Sequence, residues 1–134
     1  MSVENKDPRW KNVGLWVLSA LVAAMFLFSG MTKLMGTEMH VANFERWGFP
    51  GWFMYVVGVM EVSGALLVLI PRLASYAALL LSVVMLGAVF THIAAAEYTM
   101  LVMPAMLLVF LEVLAWGRWP RLAIPSFFRM RTPA

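Results

Sequence analysis

At 134 residues, with 63% hydrophobic and only 13% charged side chains, the chain has length for one domain and too much apolar surface for one aqueous core to hide. The formal charge of +3 does not mark a nucleic-acid binder, because the Lys and Arg residues gather toward the chain ends instead of forming an aromatic-studded face. The absence of cysteine excludes disulfides, thiol nucleophiles, dithiol relays and Cys-ligated metal or iron–sulfur centres.

Residues 1–11 (MSVENKDPRWK) are a short polar, basic flank. The apolar run at 13–35 exceeds the roughly 7–15 residues of a signal-peptide core and lacks a small-x-small cleavage site, so it predicts a retained first transmembrane helix. The connection at 36–51 has room for structure, and Thr37-Glu38 followed by Met39, Ala42 and Trp47 predicts a short helix near 38–47 lying on the membrane surface, as a lid or an interfacial staple.

Three more spans follow at 52–70, 73–95 and 98–116, each near the ~20 residues that cross a bilayer. Phe49-Pro50-Gly51, Pro71-Arg72 and Trp119-Pro120 punctuate them. In hydrocarbon every backbone polar group must be satisfied internally, so helices are the expected elements, and short connections make neighbours antiparallel. The predicted fold class is all-α: an integral membrane four-helix bundle with a basic tail at 117–134.

Lys6, Arg9, Lys11, Arg72, Arg118, Arg121, Arg129 and Arg131 fall on one side of this topology, and only Lys33 and Arg46 on the other. The positive-inside rule therefore predicts cytoplasmic N- and C-termini, with the 36–51 and 96–97 connections outside. Trp10, Trp16, Trp52, Trp116 and Trp119 lie near helix ends, where interfacial anchors belong.

Four ionisable groups sit in or at the ends of the spans: Lys33, Glu61, His92 and Glu112. Each must find a partner, a cavity or a proton, because a charge in hydrocarbon costs several kcal/mol. Glu61 is the deepest, about 14 Å inward from Trp52 at 1.5 Å per residue. Gly58, Gly64 and Ala65 share its face, which points the carboxylate at a close helix contact. Lys33 lies on a stripe with Ser19, Ala23, Phe26 and Gly30, and His92 has Thr91 beside it. Lys33, Glu61, His92 and Thr91 are the candidate ligand-binding residues, with Lys33, Glu61 and His92 expected to converge on one outer-half polar cavity under the 36–51 connection. A structural role for each is the competing reading. Glu112, beside Trp116 and Arg118, reads as one partner of an interfacial ion pair. No metal site is expected: the scattered Met residues read as apolar filler, and a haem would have to be held by His40 and His92.

The segments Phe28-Ser29-Gly30-Met31-Thr32-Lys33-Leu34, Trp47-Gly48-Phe49-Pro50, Val57-Gly58 with Glu61 and Gly64-Ala65-Leu66-Leu67, and Gly87-Ala88 with Thr91-His92 resemble, in order and spacing, the DoxX-like four-helix membrane proteins. The resemblance covers roughly residues 13–116. It implies a compact bundle in a bacterial inner membrane, with the family's polar pattern falling on Lys33, Glu61 and His92. The family name derives from a subunit of a thiosulfate:quinone oxidoreductase, so the implied role is an accessory or subunit of a membrane redox system that handles a quinone-type or other small lipophilic ligand. Its partners would be membrane lipids and a redox-enzyme subunit, since no side chain here stores electrons. The alternatives are a non-catalytic structural, assembly or sensor subunit, and a proton or solute pathway.

Overall fold

The computed structural model describes residues 9–119, and every regular element among them is helical. The elements are α1 (Arg9–Leu34), α2 (Glu38–Arg46), α3 (Gly51–Val68), α4 (Ala74–Ala94) and α5 (Val102–Gly117), the last entered through a 3-10 turn at Tyr98–Leu101. Four of the resulting segments are long and apolar enough to cross a membrane. The 1–8 flank and the tail from 120 onward, with Lys6, Arg121, Arg129 and Arg131, lie outside the described residues.

The ends of the helices differ from expectation by a few residues. α1 is already helical at Arg9, the first described residue and four residues before the apolar run, because nothing between 9 and 12 breaks a helix. Pro71 ends α3 early. Its ring has no N–H for the Leu67 carbonyl, and the last turn tightens instead, with Leu69 N–H bonded to Leu66 O and Ile70 N–H to Leu67 O. Pro104 acts similarly at the fourth span. It cannot bond the Met100 carbonyl, and the turn before it is 3-10 rather than α.

Successive spans run antiparallel and pack as a square in the cyclic order α1–α3–α4–α5, with α1 closing on α5 and no contact across either diagonal. One end of the bundle carries α2 and the 95–97 connection. The opposite end carries the start of α1, the 69–73 turn and the end of α5. Val22, Phe26, Val68, Leu81, Leu111 and Leu114 fill the interior at 0–1% exposure. The outward faces are equally apolar: Phe28 and Phe90 are 73% and 74% exposed. Such a surface suits a lipid solvent and would aggregate in water.

The α1–α3 seam is the most extensive contact and the closest. A Cβ on Gly30 would stand 2.8 Å from the Gly58 carbonyl oxygen, and one on Gly58 would stand 3.1 Å from the Gly30 carbonyl oxygen. The two backbones touch because neither residue has a side chain, and this contact sets the level at which the polar groups of α1 and α3 meet.

Candidate functional site

Lys33 of α1 and Glu61 of α3, each one turn past its glycine and so on opposite sides of that contact on antiparallel helices, lean back toward each other and form an ion pair, with Lys33 Nζ 3.1 Å from Glu61 Oε1. Lys33 is 9% exposed and Glu61 2%. Lys33 sits one residue from the end of α1, yet its chain does not snorkel outward. Helical side chains lean toward the helix N-terminus, and Lys33 follows that lean inward to donate to Ser29 Oγ at 2.7 Å. Ser29 in turn donates to Glu61 Oε1 at 2.9 Å. Both donors therefore converge on one carboxylate oxygen. Glu61 Oε2 accepts nothing from the described residues, and Lys33 has three N–H groups for two acceptors. Ser29 is the residue that sequence reasoning missed; its position four residues before Lys33, on the same helix face, was the available signal.

α2 covers this end of α1. Gly36 and Gly48, at φ of +68° and +85°, make the turns that fold it back. Phe44 is its buried anchor, in ring contact with Trp47, Phe49 and Phe53 at centroid separations of 5.3–6.3 Å. His40 Nε2 lies 3.0 Å from Thr32 Oγ1, directly over the Lys33 turn. Burial, and secondarily the Lys33 charge, hold the His40 pKa below its ordinary value.

His92 does not join Lys33 and Glu61. Its Nδ1 lies 2.9 Å from Glu97 Oε1, which also accepts from Trp47 Nε1 at 3.1 Å. Glu97 Oε2 takes both Nε and Nη2 of Arg46, whose Nη1 donates to Asn43 Oδ1 at 3.0 Å. Glu97 is thus a hub tying α2 to the α4–α5 connection. Its pKa is depressed, first by the His92 hydrogen bond and then by Arg46 and Trp47, against a partial desolvation that raises it. Trp47 packs edge-on to His92 at 5.3 Å. His92 was drawn toward Lys33 by its depth in sequence; the carboxylate only five residues away captures it instead. Thr91 is also separate, since its hydroxyl bonds the Gly87 carbonyl of its own helix at 2.7 Å. His40 and His92 are engaged by different partners, Thr32 and Glu97 respectively.

Glu112 is not paired with Arg118. Its Oε2 accepts from Ser82 of α4 at 2.8 Å, while Arg118 bonds Asn12 and covers Trp16. The lean toward the helix N-terminus again decides the partner, carrying the carboxylate away from Arg118.

Two shallow depressions mark the surface. One, of about 190 Å³, lies between α2 and α3 beside Val41, Phe44 and Tyr55. The other, of about 240 Å³, lies on the outer α1–α3 groove beside Ala20, Ala24 and Leu66. Neither is lined by Lys33, Glu61 or His92. Lys33 and Glu61 on the one hand and His92 on the other thus belong to two separate clusters among the described residues.

Comparison with known proteins places this geometry in context. Residues 17–114 match the model of the DoxX-like family. The "Uncharacterized protein YdgD" of Bacillus subtilis (strain 168) is 27% identical over 89 residues, covering 63% of this chain and 78% of that relative. "Putative oxidoreductase CatD" of the same organism is 25% identical over 79 residues, 59% of each chain. No solved structure matches. With four membrane-capable helices and a family match spanning all of them, the chain belongs to the DoxX-like family of multi-pass membrane proteins.

Proposed function

We propose that this protein is an accessory subunit of a membrane redox system, and that its Lys33–Glu61 pair receives the polar headgroup of a quinone-type lipophilic ligand. The observation that carries this reading is the incomplete satisfaction of a buried pair. Glu61 lies about ten residues, or ~15 Å, along α3, near mid-membrane, where an unmet acceptor is costly. A ligand carbonyl would accept the third Lys33 N–H, and a ligand hydroxyl would donate to Glu61 Oε2. Ser29 holds both side chains in place for that contact. A quinone supplies the redox chemistry when bound; the chain's residues bind it, orient it and exchange its protons. α2 is the cover that must shift for a headgroup to enter, and the Glu97 hub is the latch on that cover. The name of the relative CatD agrees in class with a redox role.

The orientation we propose follows the basic residues: termini in the cytoplasm and α2 outside, in the cytoplasmic membrane of a bacterium. A thiol probe introduced at Asn43 would then react from outside, and tags at either terminus would react only after permeabilisation. External labelling of the termini would reverse the assignment.

A second reading has its own support. The pair is almost fully buried against the Gly30–Gly58 contact, as a purely structural lock between α1 and α3 would be. Titrating the detergent-purified protein with a short-chain quinone, followed by tryptophan fluorescence, separates the two readings. Ligand binding predicts saturable quenching that Glu61→Gln weakens about tenfold and Glu112→Gln leaves unchanged, the loss corresponding to one charge-assisted hydrogen bond. Equal behaviour of the two variants supports the lock.

A further inference from the structure

Glu112 stands apart from everything used above. It lies on α5, five residues before Gly117, about 7.5 Å from the end of the span. A glutamate at that depth could lean back toward the headgroups, but its carboxylate is turned the other way, to Ser82. The side of α5 that carries it is exposed, so the bundle does not cover it. Its Oε1 accepts no hydrogen bond from the described residues. An intramembrane carboxyl with an open acceptor and a lipid-facing position is lowered in energy by a donor from outside its own bundle.

The depth of that donor is fixed by the packing. Leu81 of α4 fills the space beside Gly64 of α3, with Leu81 Cδ2 2.6 Å from where a Gly64 Cβ would stand. Ser82, next to Leu81, holds the Glu112 carboxylate. Ser63, next to Gly64, is therefore level with that carboxylate. Ser63 points directly away from the Glu61 face of α3, is exposed, and its hydroxyl makes no hydrogen bond among the described residues. Unlike Thr91, it does not return its proton to the carbonyl four residues back. The outer faces of the spans thus carry one open acceptor and one unused donor at the same depth, on helices at diagonal corners of the square.

Copies of one chain inserted in the same orientation are related by rotation about the membrane normal, which preserves depth. A group on one copy can meet only a group at its own level on the next. We infer that the chain self-associates head to tail, with α3 of one copy docking on the α4–α5 seam of its neighbour so that Ser63 donates to Glu112. The contact is heterologous: the two surfaces differ, and each copy offers one of each. Interhelical hydrogen bonds of this type direct association in lipid, where the hydrophobic effect between helices is absent.

The chain has no cysteine, which makes the test direct. Val59 lies one turn from Ser63, and Ala105 lies two turns from Glu112; both are exposed and nearly level with each other. Differently tagged Val59→Cys and Ala105→Cys full-length chains are co-expressed, and thiol cross-linking is measured in the native membrane. The expected product joins the two tags, and neither variant cross-links efficiently when expressed alone. Glu112→Leu and, separately, Ser63→Ala should each lower the yield by at least about threefold, the factor carried by one average interhelical hydrogen bond, while Glu112→Gln retains it. Melting temperature in detergent identifies any variant that fails to fold, and Ser63→Ala, at an exposed site, keeps the test open if Glu112→Leu does. Efficient cross-linking of Ala105→Cys to itself would mean a two-fold contact through Glu112 and would overturn the head-to-tail assignment. A mixed yield no higher than that of a random lipid-facing cysteine pair, or one insensitive to both Ser63 and Glu112, would overturn self-association through these residues.

Discussion

The two polar clusters at the α2 half of the bundle are built from the same kinds of group but under opposite conditions. Lys33, Ser29 and Glu61 meet between two helices whose glycines touch, with the Lys33–Glu61 pair almost unexposed, and Lys33 and Glu61 are each short of one partner. Arg46, Trp47, His92 and Glu97 meet where α2 crosses the α4–α5 connection, and there Glu97 uses both oxygens. Burial makes the first cluster expensive to break and sensitive to any group that completes it. Partial exposure, greatest at Arg46, makes the second a fastening that acts through the number of its bonds. Binding capacity therefore belongs to the inner cluster and access control to the outer one.

The largest effect should come from breaking the inner pair on one side only. Lys33→Met strands the Glu61 carboxylate in the bundle and should cost about 3–5 kcal/mol, whereas the double variant Lys33→Met/Glu61→Leu should lie close to wild type. Thermal melts of the two variants in one detergent check the contrast. Comparable losses in both would mean that the pair itself, and not the stranded charge, sets the stability.

Next in size is the backbone contact that positions the pair. Gly30→Ala drives a methyl to 2.7 Å from Val62 Cγ2 and 2.8 Å from the Gly58 carbonyl oxygen. The helices must separate, at about 1–3 kcal/mol for an overpacked contact. Gly14→Ala meets nothing within 4 Å on the same helix and serves as the control that should not lower the melt and, through helix propensity, should raise it slightly.

How far the sequence already contained this contrast depends on the residue. Spans were legible because lipid imposes long apolar runs and because Pro50, Pro71 and Pro120 punctuate them. Depth counting marked Glu61, and small residues on its face indicated a helix contact. Ser29 and Glu97 were not legible as partners: a hydroxyl inside an apolar run and a single acid in a short connection become informative only when a second helix is placed beside them. His92 and Glu112 show the same limit from the other side, since nearness to Lys33 in depth and to Arg118 in sequence did not decide their partners. The direction in which each side chain leans, and the nearest acid or hydroxyl, did.

A smaller effect is expected at the outer cluster. Glu97→Gln should leave the global melt nearly unchanged but speed amide exchange across α2, because only the fastening is weakened. Acid should act in the same direction. His40 has a depressed pKa in the docked state, so below its ordinary value of 6.5 the undocked state binds more protons and docking weakens as pH falls. Glu97 adds to this below its ordinary 4.5, as protonation removes its bonds to Arg46. Exchange rates at α2 should therefore be flat above pH 7 after correction for intrinsic chemistry and rise on acidification, while those of α4 stay constant. A pH-independent α2 would separate His40 from the cover.

The central claim, that the inner pair binds a ligand, is tested most directly by comparing quinone content in wild type and in Lys33→Met/Glu61→Leu, both purified from the same quinone-containing membranes and quantified by mass spectrometry. The double variant keeps the shape of the interior without its donor and acceptor. The account predicts matched melting temperatures, a near-stoichiometric quinone in the wild type and about tenfold less in the variant. Equal quinone content in the two proteins, or none in either, would contradict it.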